Sequence, residues 1–186
     1  LEISINFAIQ DFYGNSKPLG TSDAIFQTMN QYDELIKTRF LVCNCDNLYS
    51  VNAIKTLLGE SNYNSMIAYD FEYLEFSNER LSSFSLLNIE NNFLSEIIEK
   101  PDIEFIRNHS KKKYVSMNIF SFKGSEIYKY LRDCPINTKR GEKEIVTAIQ
   151  NMILENKKSV IAFPLCEHVP DLTYKDDLEK INKFLD

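Results

Sequence analysis

Arg39-Phe40-Leu41-Val42-Cys43-Asn44-Cys45-Asp46-Asn47 is a short apolar run that ends on a carboxylate. Its nearly continuous hydrophobicity predicts a strand from Arg39 to Cys45 buried on both sides, since a half-buried strand alternates instead. Asp46 then stands at the carboxyl end of a strand, where open α/β sheets bind ligands. The competing reading is an Asx turn that merely closes the strand. Upstream, Ile25, Met29, Tyr32 and Ile36 recur at helical spacing behind Thr21 or Ser22, either of which suits a cap. Further upstream, Ile3, Ile5, Phe7 and Ile9 alternate with Ser4, Asn6 and Ala8, predicting a strand that ends near Gln10.

Downstream, Ser50 is placed to cap a helix through Leu58, and Ser65–Tyr69 reads as a strand. Ser83–Ile89 and Phe93–Glu99 read as a hairpin around Glu90-Asn91-Asn92, ended by Pro101. A strand over Lys113–Phe122, a helix capped by Ser125, a helix over Glu142–Glu155, a strand over Val160–Leu165 and a helix over Asp176–Leu185 complete the pattern. The alternation predicts an α/β layered domain with a mostly parallel central sheet and an inserted antiparallel hairpin.

With 186 residues, 44% of them hydrophobic, the chain is long enough to bury one core, so a single domain over 1–186 is the default. A net charge of -6 argues against nucleic acid and anionic membrane as partners, and any phosphate must be held locally. Apolar runs such as Val160–Cys166 fall far short of the roughly 20 residues of a membrane helix. Cytoplasm is the compartment expected. Cys43, Cys45, Cys134 and Cys166 lack CxxC spacing and suit reduced thiols better than disulfides or zinc. Because the chain starts at Leu1, an upstream segment is expected in the natural protein.

Glu99-Lys100-Pro101 is the sharpest motif: a Lys at a strand end, fixed by the following Pro, can aim an ammonium at a phosphate. In isolation three common residues would mean a solvated strand end. Pro18-Leu19-Gly20-Thr21-Ser22-Asp23-Ala24, Arg140-Gly141-Glu142-Lys143-Glu144-Ile145 and Val169-Pro170-Asp171-Leu172-Thr173-Tyr174 accompany it. In that order, with the Asp46 strand, they resemble the sugar-nucleotide pyrophosphorylases, which join an NTP to a sugar 1-phosphate. The resemblance implies a Rossmann-like, glycosyltransferase-A-like nucleotidyltransferase fold, N-terminally incomplete because the family's glycine-rich signature is absent.

It also implies roles. Asp46 and Asp171 would bind Mg2+. Lys100 would contact the sugar phosphate and Glu99 the sugar hydroxyls. Gln10 would hydrogen-bond the base, and Gly20 would let the backbone approach it. Ser85, Asn118 and Glu144 would line the sugar pocket, although acidic residues in a first helical turn are also favoured by the helix dipole. The implied partners are an NTP and a sugar 1-phosphate, and homo-oligomers are common to the family. Cys45 replaces the family's Gly, Val169 its Trp, and Thr173-Tyr174 its Gly-Thr. Those departures keep open a non-catalytic regulatory or assembly subunit, and, ranked last for want of an Asp-x-Asp, a glycosyltransferase-like domain.

Overall fold

A computed structural model describes residues 4–181, apart from 60, 110, 111, 175, 176, 179 and 180. In chain order its elements are α1 (Thr21–Gln31), α2 (Glu34–Lys37), β1 (Arg39–Cys43), α3 (Val51–Leu58), β2 (Asn64–Asp70), α4 (Asn78–Leu81), β3 (Ser85–Glu90), β4 (Phe93–Ile98), α5 (Ile103–Asn108), β5 (Tyr114–Ser116), β6 (Ile119–Lys123), α6 (Gly124–Arg132), α7 (Ile145–Glu155) and β7 (Val160–Leu165). Most of the helix expected over Asp176–Leu185 lies outside the described residues; Asp177, Leu178 and Ile181 are helical. The chain divides into two compact units, Leu1–Phe40 with Lys123–Glu155 and Leu41–Phe122 with Asn156–Asp186. No helix of the described residues is long and apolar enough to cross a membrane.

The first unit is helical, with α6 packed on α1, α2 and α7. The apolar face expected on one helix is split, because α1 stops at Tyr32 (φ -131), whose N–H closes on the Thr28 carbonyl, and α2 restarts at Glu34. What α1 buries is largely polar: Ser22, Asp23 and Gln27 beside Met29. Thr21 is not its cap. Gly20 takes that position, and the Thr21 hydroxyl instead accepts the Ile145 N–H (3.1 Å). The helix expected from Glu142 starts at Ile145, because a turn with Gly141 at φ 68 and a bridge between Asn137 and Glu142 occupy the preceding residues. A Cβ at Gly124 would fall 1.8 Å from the Leu35 carbonyl oxygen, so the start of α6 needs glycine to meet α2.

Residues 4–10 form no strand, against expectation. A strand needs a partner for its backbone, and here side chains from α1 take that place. Gln31 bonds both the N–H (3.2 Å) and the C=O (2.9 Å) of Ile9, and Gln27 does the same for Asp11 (2.6 and 3.0 Å). Tyr32 donates its hydroxyl to the Phe7 carbonyl (2.9 Å). The alternating residues Ile5, Phe7 and Ile9 are 72%, 81% and 81% exposed.

The second unit is built on a sheet of order β1-β6-β2-β5-β3-β4-β7, in which β7 returns to β2 and closes β2-β5-β3-β4-β7 into a five-stranded barrel. The sheet is mixed, not mostly parallel. β2 and β7 run parallel from Asn64↔Val160 to Tyr69↔Leu165, while β2–β5, β2–β6, β3–β4, β3–β5 and β4–β7 are antiparallel. The connection that joins β3 to β4 is too short for a parallel crossover, which takes a dozen or more residues. β1, expected to be buried on both faces, lies at the end of the order and is only half-buried. The strand expected over Lys113–Phe122 is broken at Met117-Asn118, where Asn118 has φ 54. The hairpin is as expected, turning on Asn91 (φ 51) and Asn92 (φ 67), the left-handed pair that a tight two-residue turn requires. β2 is buried along its whole length, and α3 covers it with Ala53 and Leu57 after Ser50 caps the Ala53 N–H (3.0 Å).

Candidate functional site

In the second unit the two segments expected to carry the metal carboxylates run side by side. The Asp46 carbonyl accepts the Leu172 N–H (2.8 Å), the Leu48 N–H reaches the Pro170 carbonyl (2.9 Å), and Asn47 and Asp171 form a bridge. Their side chains differ. Asp46 is exposed, whereas Asp171 is buried and engaged, accepting from the Thr173 hydroxyl (2.5 Å) and lying 3.4 Å from the Arg80 guanidinium. Arg80 grips Asp177 with two bonds of 2.8 Å and stacks over Phe76 and Tyr174. Its bond to Asp177 raises the guanidinium above its ordinary pKa, against the opposing effect of burial. A cavity of about 140 Å³ opens beside Asp171 and Asp177, walled by Glu75, Phe76, His168 and Pro170.

The residues expected on the sugar side form a row across three strands. The register sets Ser85 opposite Ser116, and Leu86 opposite Ile98, so the Ser85 hydroxyl meets the Glu99 carboxylate just past β4 and donates to it. Ser116 accepts the Asn118 N–H (3.2 Å). Ser85 and Ser116 are buried, and as an antiparallel pair they share one face. Lys100 follows Glu99, exposed, with φ 45 immediately before Pro101. A lysine rarely takes the left-handed region, and the residue before proline favours an extended conformation, so the motif holds backbone strain of the kind found at functional sites.

The first unit brings together the remaining candidates. Gln10 donates its amide to the Gly20 carbonyl (3.2 Å) and to the buried Asp23 carboxylate (2.9 Å), which also takes the Gln27 amide (2.7 Å). Gly20 has φ 95, and a Cβ there would lie 2.9 Å from the Lys143 carbonyl oxygen, so the close approach that demands glycine is to this chain's own backbone. Glu144 is buried and tied to Arg140 and to the Asn137 amide (2.9 Å), the arrangement of a carboxylate that fixes its own loop.

Tyr49 and Arg80 were not foreseen. The Tyr49 hydroxyl lies 2.6 Å from the Met117 carbonyl and accepts the Asn44 N–H (3.2 Å), and burial pushes its phenol well above the ordinary value. A tyrosine three residues beyond Asp46 was the available signal; Arg80, between Glu79 and Leu81, offered none. Among the described residues no three His, Cys, Asp or Glu side chains group as metal ligands. Magnesium takes only one or two protein carboxylates with substrate phosphates. Asp46 fits that role as it stands, and Asp171 fits once it leaves Arg80.

No family model and no curated protein matches the sequence. Solved structures do match the fold. A UDP-glucose pyrophosphorylase complexed with UDP-glucose aligns at TM-score 0.66 and 16% identity, over 91% of this chain and 63% of its own. A UTP-bound UGPase from Acinetobacter baumannii aligns at 0.65 and 14%, over 90% and 57%. An inositol-1-phosphate CTP transferase from T. maritima aligns at 0.63 and 15%, over 90% and 61%. The chain therefore shares the fold of these nucleotidyltransferases and spans about three fifths of their length.

Proposed function

We propose that this chain is the part of a sugar-1-phosphate nucleotidyltransferase that holds the sugar 1-phosphate and the metal-bound nucleotide. The observation that carries the reading is the Ser85–Glu99 hydrogen bond beside the left-handed, exposed Lys100. It presents a fixed carboxylate for hydroxyl groups next to an ammonium for a phosphate. In the reaction, an oxygen of the sugar 1-phosphate attacks the α-phosphorus of an NTP, the bond to the bridging oxygen breaks, and pyrophosphate leaves. Lys100 orients the attacking phosphate and Glu99 the sugar ring, so catalysis is positioning and charge stabilisation. Bound Mg2+ would supply neutralisation of phosphate charge. Asp46 is the residue placed to hold it, and Asp171 the second.

The engagement of Asp171 by Arg80 favours a second reading, a non-catalytic relative that binds ligand without turnover. Pyrophosphate release from a panel of NTP and sugar 1-phosphate pairs separates the two. Catalysis is expected to fall about 10²–10³-fold in Lys100→Ala and in Asp46→Ala. Normal turnover in Asp46→Ala would remove Asp46 from the metal-binding role; tight binding with no pyrophosphate from the parent chain would establish the second reading.

A further inference from the structure

We propose that the Tyr49 hydroxyl is a positioning group that locks the Asp46 loop to the Asn118 turn. The inference rests on the nucleotidyl-transfer reading for the ligands that Asp46 and Asn118 meet. Asn44 and Asn47 flank Asp46, and both reach the same hydroxyl, the first through its N–H (3.2 Å) and the second through Oδ1 (3.1 Å). On the other side the hydroxyl faces the carbonyls of Met117 (2.6 Å) and Asn118 (3.4 Å), 68 and 69 residues away in sequence. It has one proton, and the short contact to Met117 takes it. Its lone pairs receive Asn44.

The ring cannot drift from this post, because it packs against the hydrophobic cluster that includes Ala53, Leu57, Ile67 and Met117. A phenol is protonated at neutral pH, so the donor persists there. Asn118 needs such a hold. Its φ of 54 is left-handed, its N–H bonds Ser116, and the residue before it, Met117, gives the carbonyl that takes the Tyr49 proton. A hydroxyl that served only the core would have no reason to sit at the meeting of two loops, each bearing a candidate ligand contact.

Tyr49→Phe keeps the ring and removes the oxygen alone. Amide hydrogen exchange at Asn44 and Asn118 is expected to accelerate together by about tenfold, with the thermal midpoint nearly unchanged. In the pyrophosphate-release assay, kcat is expected to fall about tenfold to a hundredfold while the KM for the NTP moves little, as a misplaced pair of contacts demands. Unchanged exchange at either segment overturns the lock. Faster exchange with kcat and KM both unmoved overturns the positioning role and leaves a structural one. A parent chain inert with every substrate pair fails the nucleotidyl-transfer reading, and the inference falls with it; an active parent matched by Tyr49→Phe overturns the inference alone.

Discussion

Asp70 ends β2 with a buried carboxylate that accepts from exposed Lys112 (2.8 Å), from the Glu72 N–H (3.1 Å) and from the Cys166 thiol (3.7 Å). Burial by itself raises such a carboxyl, but the hydrogen bonds from Lys112 and Glu72 outweigh it and hold the group below its ordinary value. Because the folded value is the lower one, the unfolded chain binds the proton first. The contribution to stability is therefore full above about pH 5 and is lost as pH falls through the ordinary carboxyl range towards the folded value. Urea midpoints measured at pH 7 and pH 3.5 should diverge more in the parent chain than in Asp70→Asn. Equal acid losses in both would remove Asp70 from the account. The strand end at Glu99-Lys100-Pro101 was legible because a proline is a local signal. That Asp171 is shared with Arg80 was not, since the two are 91 residues apart and only folding brings them together.

Among elements, the segment before α1 depends on the side chains of Gln27, Gln31 and Tyr32 rather than on a ladder. Gln31→Ala deletes both bonds to the Ile9 backbone, and Gln27 still holds Asp11, so a local loosening is expected. Exchange of the Ile9 amide should accelerate about tenfold, with a loss of global stability under about 1 kcal/mol, because both groups face water. An Ile9 amide unchanged in the variant would show that something other than Gln31 protects it. The alternation of Ile5, Phe7 and Ile9 predicts a strand that the structure lacks, because periodicity says nothing of whether a partner strand exists. The same limit explains α1. Its buried Asp23 takes the Gln27 amide, Gln27 also holds the Asp11 backbone, and the Ser22 hydroxyl reaches the Leu131 carbonyl of α6, none of which hydrophobic spacing encodes. The β3–β4 hairpin was legible because two adjacent asparagines able to take positive φ are a local turn signal. The break at Asn118 was not, because the Tyr49 hydroxyl that meets Met117 and Asn118 lies 68 and 69 residues away in sequence.

At the scale of the whole molecule, the α/β alternation gave most element types and the wrong sheet, since strand order and direction depend on pairings that no local pattern encodes. The decisive one is between β2 and β7, the last strand of the second unit. It is parallel, it spans six residue pairs, and it closes the barrel. β2 is buried throughout, and Val160 and Ala162 of β7 are buried against it, so losing β7 would expose a full ladder edge and the apolar strand beside it. Burial of a single Val is worth about 1.5–3 kcal/mol, and a domain's whole margin is about 5–15 kcal/mol. A chain ending at Glu155 is therefore expected to keep helical signal while losing cooperative unfolding, and to bind a hydrophobic dye as a collapsed state does. Urea titration followed by circular dichroism measures this directly. A sharp transition with the denaturant slope of the full chain would mean that β1–β6 close a core unaided, and that the parallel β2–β7 ladder is an addition to the fold rather than the pairing that completes it.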